Sequence, residues 1–206
     1  MIHENRTVER LYLGGNNFDE EDAELLGELL RKNSQIKALL LNVNHLGDAG
    51  VLKLAAALQQ NQTLVELGLA SNGITVTGCK GLIEVIKTNS SLINLDLGYS
   101  PSTKVLGVKS NNLGDVGAEI IGQILPEIST LVKLDLRRNH ITEKGKQALI
   151  AGLEKNYTLC QLIFDGKEDE RVTNLLQRNC SLKPEINQPN RDISLIKSVY
   201  RTSLYV

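Results

Sequence analysis

The apolar positions of this chain recur in a fixed frame of eleven residues. The clearest copy runs L-V-K-L-D-L-R-R-N-H-I from Leu131 to Ile141, and equivalent copies begin at Val8, Ile36 and Leu64. The fourth and sixth residues of each copy are leucines, which predicts a short strand with one buried face because strand side chains alternate in direction. The ninth residue is asparagine, whose amide needs hydrogen-bond partners wherever it turns inward. The frame therefore predicts stacked strands joined by a ladder of asparagines.

A helical pattern follows each copy, and frame plus helix form a unit of 28 residues. The regular units span residues 8–35, 36–63, 64–91 and 131–158. In the second unit, Asp48 stands at the start of the helical pattern and is predicted to cap that helix. The apolar residues that follow form one stripe at helical spacing: Val51, Leu54, Ala55 and Leu58. Each strand is therefore predicted to pack against its own helix.

Glycines and asparagines recur at fixed places around these helices. A glycine column near the helix starts predicts close approach of helix and strand, and it contains Gly50, Gly78, Gly117 and Gly145. Asparagines recur just before the next strand, at Asn33, Asn61, Asn89 and Asn156. We expect these asparagines to end the helices in the left-handed conformation and to lie nearer the surface than the ladder. Their repeat position favours this structural role over glycosylation, although three of them begin N-x-S/T triplets.

The fourth unit is irregular. From Leu92 to Leu131 the frame advances 39 residues, eleven more than the regular 28. The surplus equals one frame and has two interpretations that the sequence does not separate. Either the segment from Leu92 forms a strand without its own helix and a complete unit begins at Val105, or a single unit contains an eleven-residue loop. In both cases a helix is predicted near 117–125, ended by Pro126.

The array ends in a degenerate unit that begins at Leu159. Lys167 replaces the ladder asparagine, and the helix predicted at 168–178 is highly charged, as expected where a terminal repeat meets water. Beyond it, apolar residues recur at helical spacing, including Ile193, Ile196 and Leu204. Residues 179–206 are therefore predicted to cap the last unit, with a partner-binding tail as the alternative.

The frame, its period and two N-x-L-G-D-x-G runs, Asn44–Gly50 and Asn111–Gly117, resemble leucine-rich repeat proteins of the ribonuclease-inhibitor-like subfamily. The resemblance covers about residues 8–178. It implies one α/β domain over residues 1–206, a horseshoe-shaped solenoid with parallel concave strands and convex helices. The chain is short and poor in cysteine, and in overall character it also resembles the leucine-rich repeat effectors that intracellular bacteria deliver into host cells.

Composition narrows the classes of partner. The formal charge is −1, from 23 basic and 24 acidic side chains, and aromatic residues make up 3%, which favours neither nucleic acid nor an anionic membrane as partner. The three cysteines form no CxxC pair, so neither a zinc site nor a disulfide framework is expected. No spacing places nucleophiles or carboxylates in a catalytic arrangement, and no cofactor is expected. We predict a cytoplasmic, monomeric protein that is not an enzyme, or an effector delivered into a host cytosol.

Function is predicted on the concave face, defined here as the side of the sheet opposite the helices. The third, fifth and seventh positions of each frame point to this face, and the eighth lies on its rim. The predicted partner-binding residues are Tyr12, Leu40, Asp96, Tyr99, Lys109, Lys133, Asp135, Arg137 and Arg138. Tyrosine and arginine are the types that most often dominate interface energies. We therefore predict a module that binds another protein, by family analogy an enzyme whose active site it covers. The alternative is a GTPase-activating leucine-rich repeat protein that acts on a small GTPase.

Overall fold

The strands form one parallel sheet in chain order. The computed structural model describes residues 5–182, and the six strands pair consecutively. The strands are β1 (Arg10–Tyr12), β2 (Ala38–Leu40), β3 (Glu66–Gly68), β4 (Asn94–Asp96), β5 (Lys133–Asp135) and β6 (Gln161–Ile163). The helices are α1 (Glu20–Lys32), α2 (Gly47–Leu58), α3 (Val76–Ile86), α4 (Gly114–Ile124), α5 (Glu143–Lys155) and α6 (Glu170–Leu182). This alternation confirms the predicted α/β solenoid.

The strand register explains why the leucine frame repeats. Leu39 of β2 pairs with Leu67 of β3, which pairs with Leu95 of β4, and the column continues to Leu134 of β5. These four leucines are at most 1% exposed and share one core with the predicted apolar stripe of α2. Burial of each such side chain stabilises the fold by about 2 kcal/mol. The helices cover the leucine side of the sheet and leave the concave face open.

The irregular unit contains an inserted loop, so the interpretation of residues 105–109 as a second strand is wrong. The ladder asparagine of this unit is Asn111, fourteen residues after Leu97, whereas Asn44 follows Leu41 by three. The eleven extra residues therefore lie between the end of β4 and the ladder. They begin with a 3₁₀ turn at Pro101–Thr103. Gly107 then takes a φ of +66°, a left-handed conformation that ends any extended run.

The asparagine ladder is confirmed. The amide nitrogen of Asn44 donates to the carbonyls of Leu13 and Leu41, and its oxygen accepts from the backbone N–H groups of Asn16 and Phe18. Asn72, Asn111 and Asn139 donate in the same way, each to its own unit and to the preceding one. Beyond the ends of the strands, the ladder thus links neighbouring units through side-chain hydrogen bonds in place of backbone pairing.

The asparagines at the helix exits form a second ladder, which corrects the interpretation of their role. Asn61 is only 4% exposed, so it does not lie nearer the surface as expected. Its amide nitrogen donates to the Leu30 carbonyl of the previous unit, and its oxygen accepts from the backbone of Thr63 and Leu64. The equivalent Asn33 and Asn156 have extended backbones, not left-handed ones. Asparagine is therefore required here for its hydrogen bonds.

Asp48 caps a helix, but not the one predicted. It lies inside the first turn of α2, and its carboxylate accepts from the backbone N–H groups of Thr75 and Gly78 at the start of α3, at 2.7 and 3.0 Å. Asp115 acts in the same way on α5 through Thr142 and Gly145. A Cβ at Gly78 would lie 2.5 Å from the Asp48 carboxylate. At Gly78 and Gly145 the glycine column therefore makes room for a capping carboxylate supplied by the previous unit.

The last described element is α6, which continues past the predicted end at Arg178 to Leu182. The rest of the predicted cap, including Ile193, Ile196 and Leu204, lies outside the described residues. Within residues 5–182, no helix combines the length and the hydrophobicity needed to cross a membrane.

Candidate functional site

The centre of the concave face is a shallow depression of about 160 Å³. Its lining comes from four neighbouring units, namely Leu40, Asn42, Glu66, Leu67, Asn94, Leu95, Asp96, Lys133, Asp135 and Arg137. Two glycines lie beneath the lining side chains. Leu40 lies over Gly68, where a Cβ would be 2.9 Å from its methyl group, and Asp135 lies over Gly98 at 2.6 Å. The glycines therefore accommodate lining side chains of the neighbouring units.

Asp135, the last residue of β5, and Arg137, in the turn that follows, form a closed pair. Asp135 is 2% exposed and accepts from the Nε of Arg137 through both oxygens, at 3.0 and 2.9 Å. The backbone N–H of Arg137 donates to the same carboxylate. These hydrogen bonds raise the pKa of the Arg137 guanidinium above its ordinary value. A partner would therefore meet this pair mainly through the half-exposed arginine.

Asp96 faces Asp135 in register on the adjacent strand but has a different environment. Its carboxylate accepts from the backbone N–H of Gly98 at 2.8 Å. Burial raises the pKa of Asp96 to about 6, with a further contribution from the negative charge of Asp135. The positive charges of Arg137 and Lys133 lower the pKa of Asp96, but they offset the upward shift only in part. Like charges opposite each other on neighbouring strands are destabilising, and protonation of Asp96 below about pH 6 relieves that repulsion.

We expect Asp96→Asn to stabilise the protein at pH 7.5. Because the folded-state pKa is raised from 3.8 to about 6, the native state binds more protons between these values, and the free energy of unfolding falls as pH rises from about 4 to 6. A shift of this size corresponds to about 3 kcal/mol as an upper bound. Asparagine keeps an acceptor for Gly98 and carries no charge. Urea unfolding at several pH values measures both effects.

Asp135→Asn is the matched control, since it removes the other carboxylate of the same pair. It leaves the Arg137 guanidinium without an anionic partner and should lower stability at pH 7.5. Equal responses of the two variants would contradict the different roles of Asp96 and Asp135.

The N-terminal end of the concave face is more apolar than the sequence indicated. Tyr12 is 49% exposed, and Leu40 pairs with it in register. The inserted loop folds back along the rim and brings Leu106 close to Gly15, whose Cβ would lie 3.3 Å from a Leu106 methyl group. Val105 beside it is 86% exposed. Sequence reasoning assigned neither Val105 nor Leu106 to partner binding, because the path of the loop depends on contacts between units.

The rim above β4 and β5 carries an aromatic and basic group. The guanidinium of Arg138 lies 5.8 Å from the centre of the Tyr99 ring, a cation–π geometry. Lys109 lies in the returning limb of the inserted loop, where its carbonyl accepts from the backbone N–H of Gly73. The frame alignment placed Lys109 on a strand, and the structure corrects this to the loop. Tyr99, Lys109 and Arg138 are nevertheless all on the rim.

The described part of the chain has no metal-binding cluster and has a fully buried cysteine. It contains no cluster of three or more His, Cys, Asp or Glu residues that could hold a metal ion. Cys79 is buried in the core, and that burial raises the pKa of its thiol to about 12, so it is not available as a thiolate. On the concave face, Arg10 is joined to Glu66 at 3.1 Å across the small Ala38. The arrangement is suited to contact with another molecule.

Comparisons with known proteins agree with this architecture. A family model described as a leucine-rich repeat matches residues 60–82 and 128–149. The leiomodin-1 actin-binding site 2 superposes with a TM-score of 0.57 at 18% identity, covering 90% of this chain and 88% of that chain. The tropomodulin C-terminal domain of Caenorhabditis elegans superposes with a TM-score of 0.63 at 20% identity, covering 80% and 97%. No curated protein sequence matches the chain. At these identities the structural likeness concerns the fold.

Proposed function

We propose that this leucine-rich repeat protein is a binding module that holds another protein on its concave face. The observation that carries the proposal is the open side of the six-stranded sheet. Parallel sheets are normally covered on both faces, whereas here the helices cover one and the other presents Tyr12, Leu40, Arg137 and the Tyr99–Arg138 pair. Such a mixture of aromatic, aliphatic and arginine side chains is typical of protein interfaces.

Inhibition of an enzyme is the more specific form of this proposal. A rigid face that spans six strands at about 4.8 Å each is wide enough to cover an active-site mouth. One structural neighbour, from leiomodin-1, is an actin-binding site, which makes actin a reasonable first probe for binding. Binding to actin or to another protein would support the module, and loss of the bound enzyme's activity would support inhibition.

We expect Tyr99→Ala and Tyr12→Ala each to weaken binding of the natural partner at least tenfold. A central aromatic residue at an interface contributes about 2 kcal/mol or more. The partner would first be isolated by affinity purification with the full chain and then titrated against each variant by calorimetry. Unchanged melting curves would show that the fold is retained.

Tyr157→Ala is the matched control. Tyr157 is 56% exposed and stacks with Arg178 at 4.3 Å. It precedes β6, whereas Tyr99 follows β4, so the two residues lie at opposite ends of the parallel strands. Its loss should leave affinity unchanged. A partner that is sensitive to Tyr157 and indifferent to Tyr12 and Tyr99 would move the binding site off the concave face. If the purified chain instead accelerates GTP hydrolysis by a small GTPase, the GTPase-activating alternative replaces this proposal.

A further inference from the structure

The basic charge of the concave face is concentrated in a single unit. At the strand and rim positions of the fifth unit stand Lys133, Arg137 and Arg138. No other unit within residues 5–182 has more than one basic residue at the equivalent positions. Lys109 adds a fourth cation from the inserted loop beside the same rim. We call these four residues the basic stripe.

The basic stripe is only partly neutralised within the protein. Arg137 is paired with Asp135, whereas Lys109, Lys133 and Arg138 form no ion pair with another described residue. The oxygen of Asp165 accepts the backbone N–H of Arg138 and so supplies a second carboxylate nearby. Asp96 is the third, and with a pKa of about 6 it carries most of its negative charge at neutral pH. Four cations thus face three anions, on a chain whose overall charge is −1.

The stripe follows β5 and the turn after it. Lys133 is the first residue of β5, and Arg138 lies three residues past its end, in a turn where its φ is +59°. Asp135 between the two ends is buried and does not protrude. An extended segment along β5 can therefore reach Lys133 with one acidic side chain and the turn with another.

We infer that the partner of this module presents an acidic, extended protein segment, which lies along β5 between Lys133 and Arg138. The inference rests on the proposed function and names the chemistry of the partner. The carboxylates of the segment pair with Lys133, Arg138 and Lys109, while the ring of Tyr99 packs against the segment and holds the Arg138 guanidinium in place. Charge complementarity of this kind accelerates association and selects partners.

The first test uses a fluorescein-labelled ten-residue peptide of alternating glutamate and serine, with its glutamine–serine counterpart as the neutral match. Fluorescence anisotropy with the full chain in 50 mM NaCl should show at least tenfold tighter binding of the glutamate peptide. Raising the salt to 300 mM should weaken that binding at least fivefold, because exposed ion pairs are screened. Equal affinity for the two peptides would overturn the inference. A single-stranded oligonucleotide of equal charge that binds as tightly would also overturn it, since the attraction would then be for any polyanion.

The second test locates the site. Lys133→Gln and Arg138→Gln combined should weaken binding of the glutamate peptide at least fivefold, with an unchanged melting curve. Lys80→Gln and Lys155→Gln combined form the matched control, because these lysines are exposed on α3 and α5 and the charge change is identical. An equal loss in both double variants would overturn the placement on β5.

Binding of the natural partner to these variants distinguishes failure of this inference from failure of the proposed function. A partner that requires Tyr12 or Tyr99 but ignores the Lys133 and Arg138 substitutions would retain the concave binding face and overturn the acidic segment. A partner that ignores all four positions would overturn both.

Discussion

Asn111→Ala is expected to lower the free energy of unfolding by about 3 kcal/mol, more than the same substitution at Asn72 or Asn139. Asn111 is fully buried and its side chain makes four hydrogen bonds. It donates to the carbonyls of Leu69 and Leu97 at 2.9 Å each, and it accepts from the backbone of Asn72 and Ile74 at 2.9 and 3.0 Å. Alanine would leave all four backbone groups buried without partners. Urea unfolding followed by circular dichroism measures the loss.

Asn72→Ala is the matched comparison and should cost about half as much. Its amide nitrogen donates to the Leu41 and Ala70 carbonyls, at 3.0 and 3.3 Å, but its buried oxygen has no hydrogen-bond partner. Alanine therefore strands fewer groups and removes one unsatisfied acceptor. A loss at Asn72 that equals or exceeds the loss at Asn111 would show that backbone satisfaction does not determine the strength of the ladder.

Gly122→Ala should destabilise the protein by a similar amount, about 3 kcal/mol. On α4, a Cβ at Gly122 would overlap the backbone carbonyl of Ala148 on α5, and a Cβ at Gly152 would in turn overlap the carbonyl of Gly122. Neither helix backbone can move away without displacing the leucines beneath it, because the core is close-packed. Thermal and urea unfolding of the single variant provide the measurement.

Gly81→Ala on α3 is the control with the opposite expectation. A Cβ there would meet the end of the Leu52 side chain, which is 39% exposed and can change its rotamer. Alanine also favours a helix over glycine by about 1 kcal/mol. This variant should be neutral or slightly more stable than the parent. A loss as large as that of Gly122→Ala would mean that general crowding, and not helix-backbone contact, explains the Gly122 result.

The leucine frame by itself determined the solenoid. Its period of two within the strand and 28 between units specifies strand direction, register and the buried side, since a slip of one residue would expose every leucine. The ladder followed from the same frame, because a recurring asparagine among core positions must be hydrogen-bonded. Local pattern was sufficient here because every unit repeats the same contacts with its neighbours.

The sequence was less informative where a side chain acts on a different unit. Asp48 was predicted to cap its own helix by its local position, yet its carboxylate caps α3, some 27 residues later. The helix-exit asparagines were assigned a backbone conformation, whereas their amides bond to the previous unit. The residue preferences for helix caps predict hydrogen bonds between residues that are close along the chain. The partners found here are distant in sequence and close only in space.

Tertiary structure alone decided the shape and the charge balance of the candidate site. Asp135 is buried beneath Arg137, whereas Asp96, in register with it, has a raised pKa. Composition could not show this difference, because it depends on desolvation and on which cation reaches which carboxylate. The path of the inserted loop, which brings Leu106 beside Gly15, also depends on contacts between units. In the regular units the sequence determined which residues point to the concave face, because alternation along a strand is local. Which of their charges remain unpaired was decided by packing across strands.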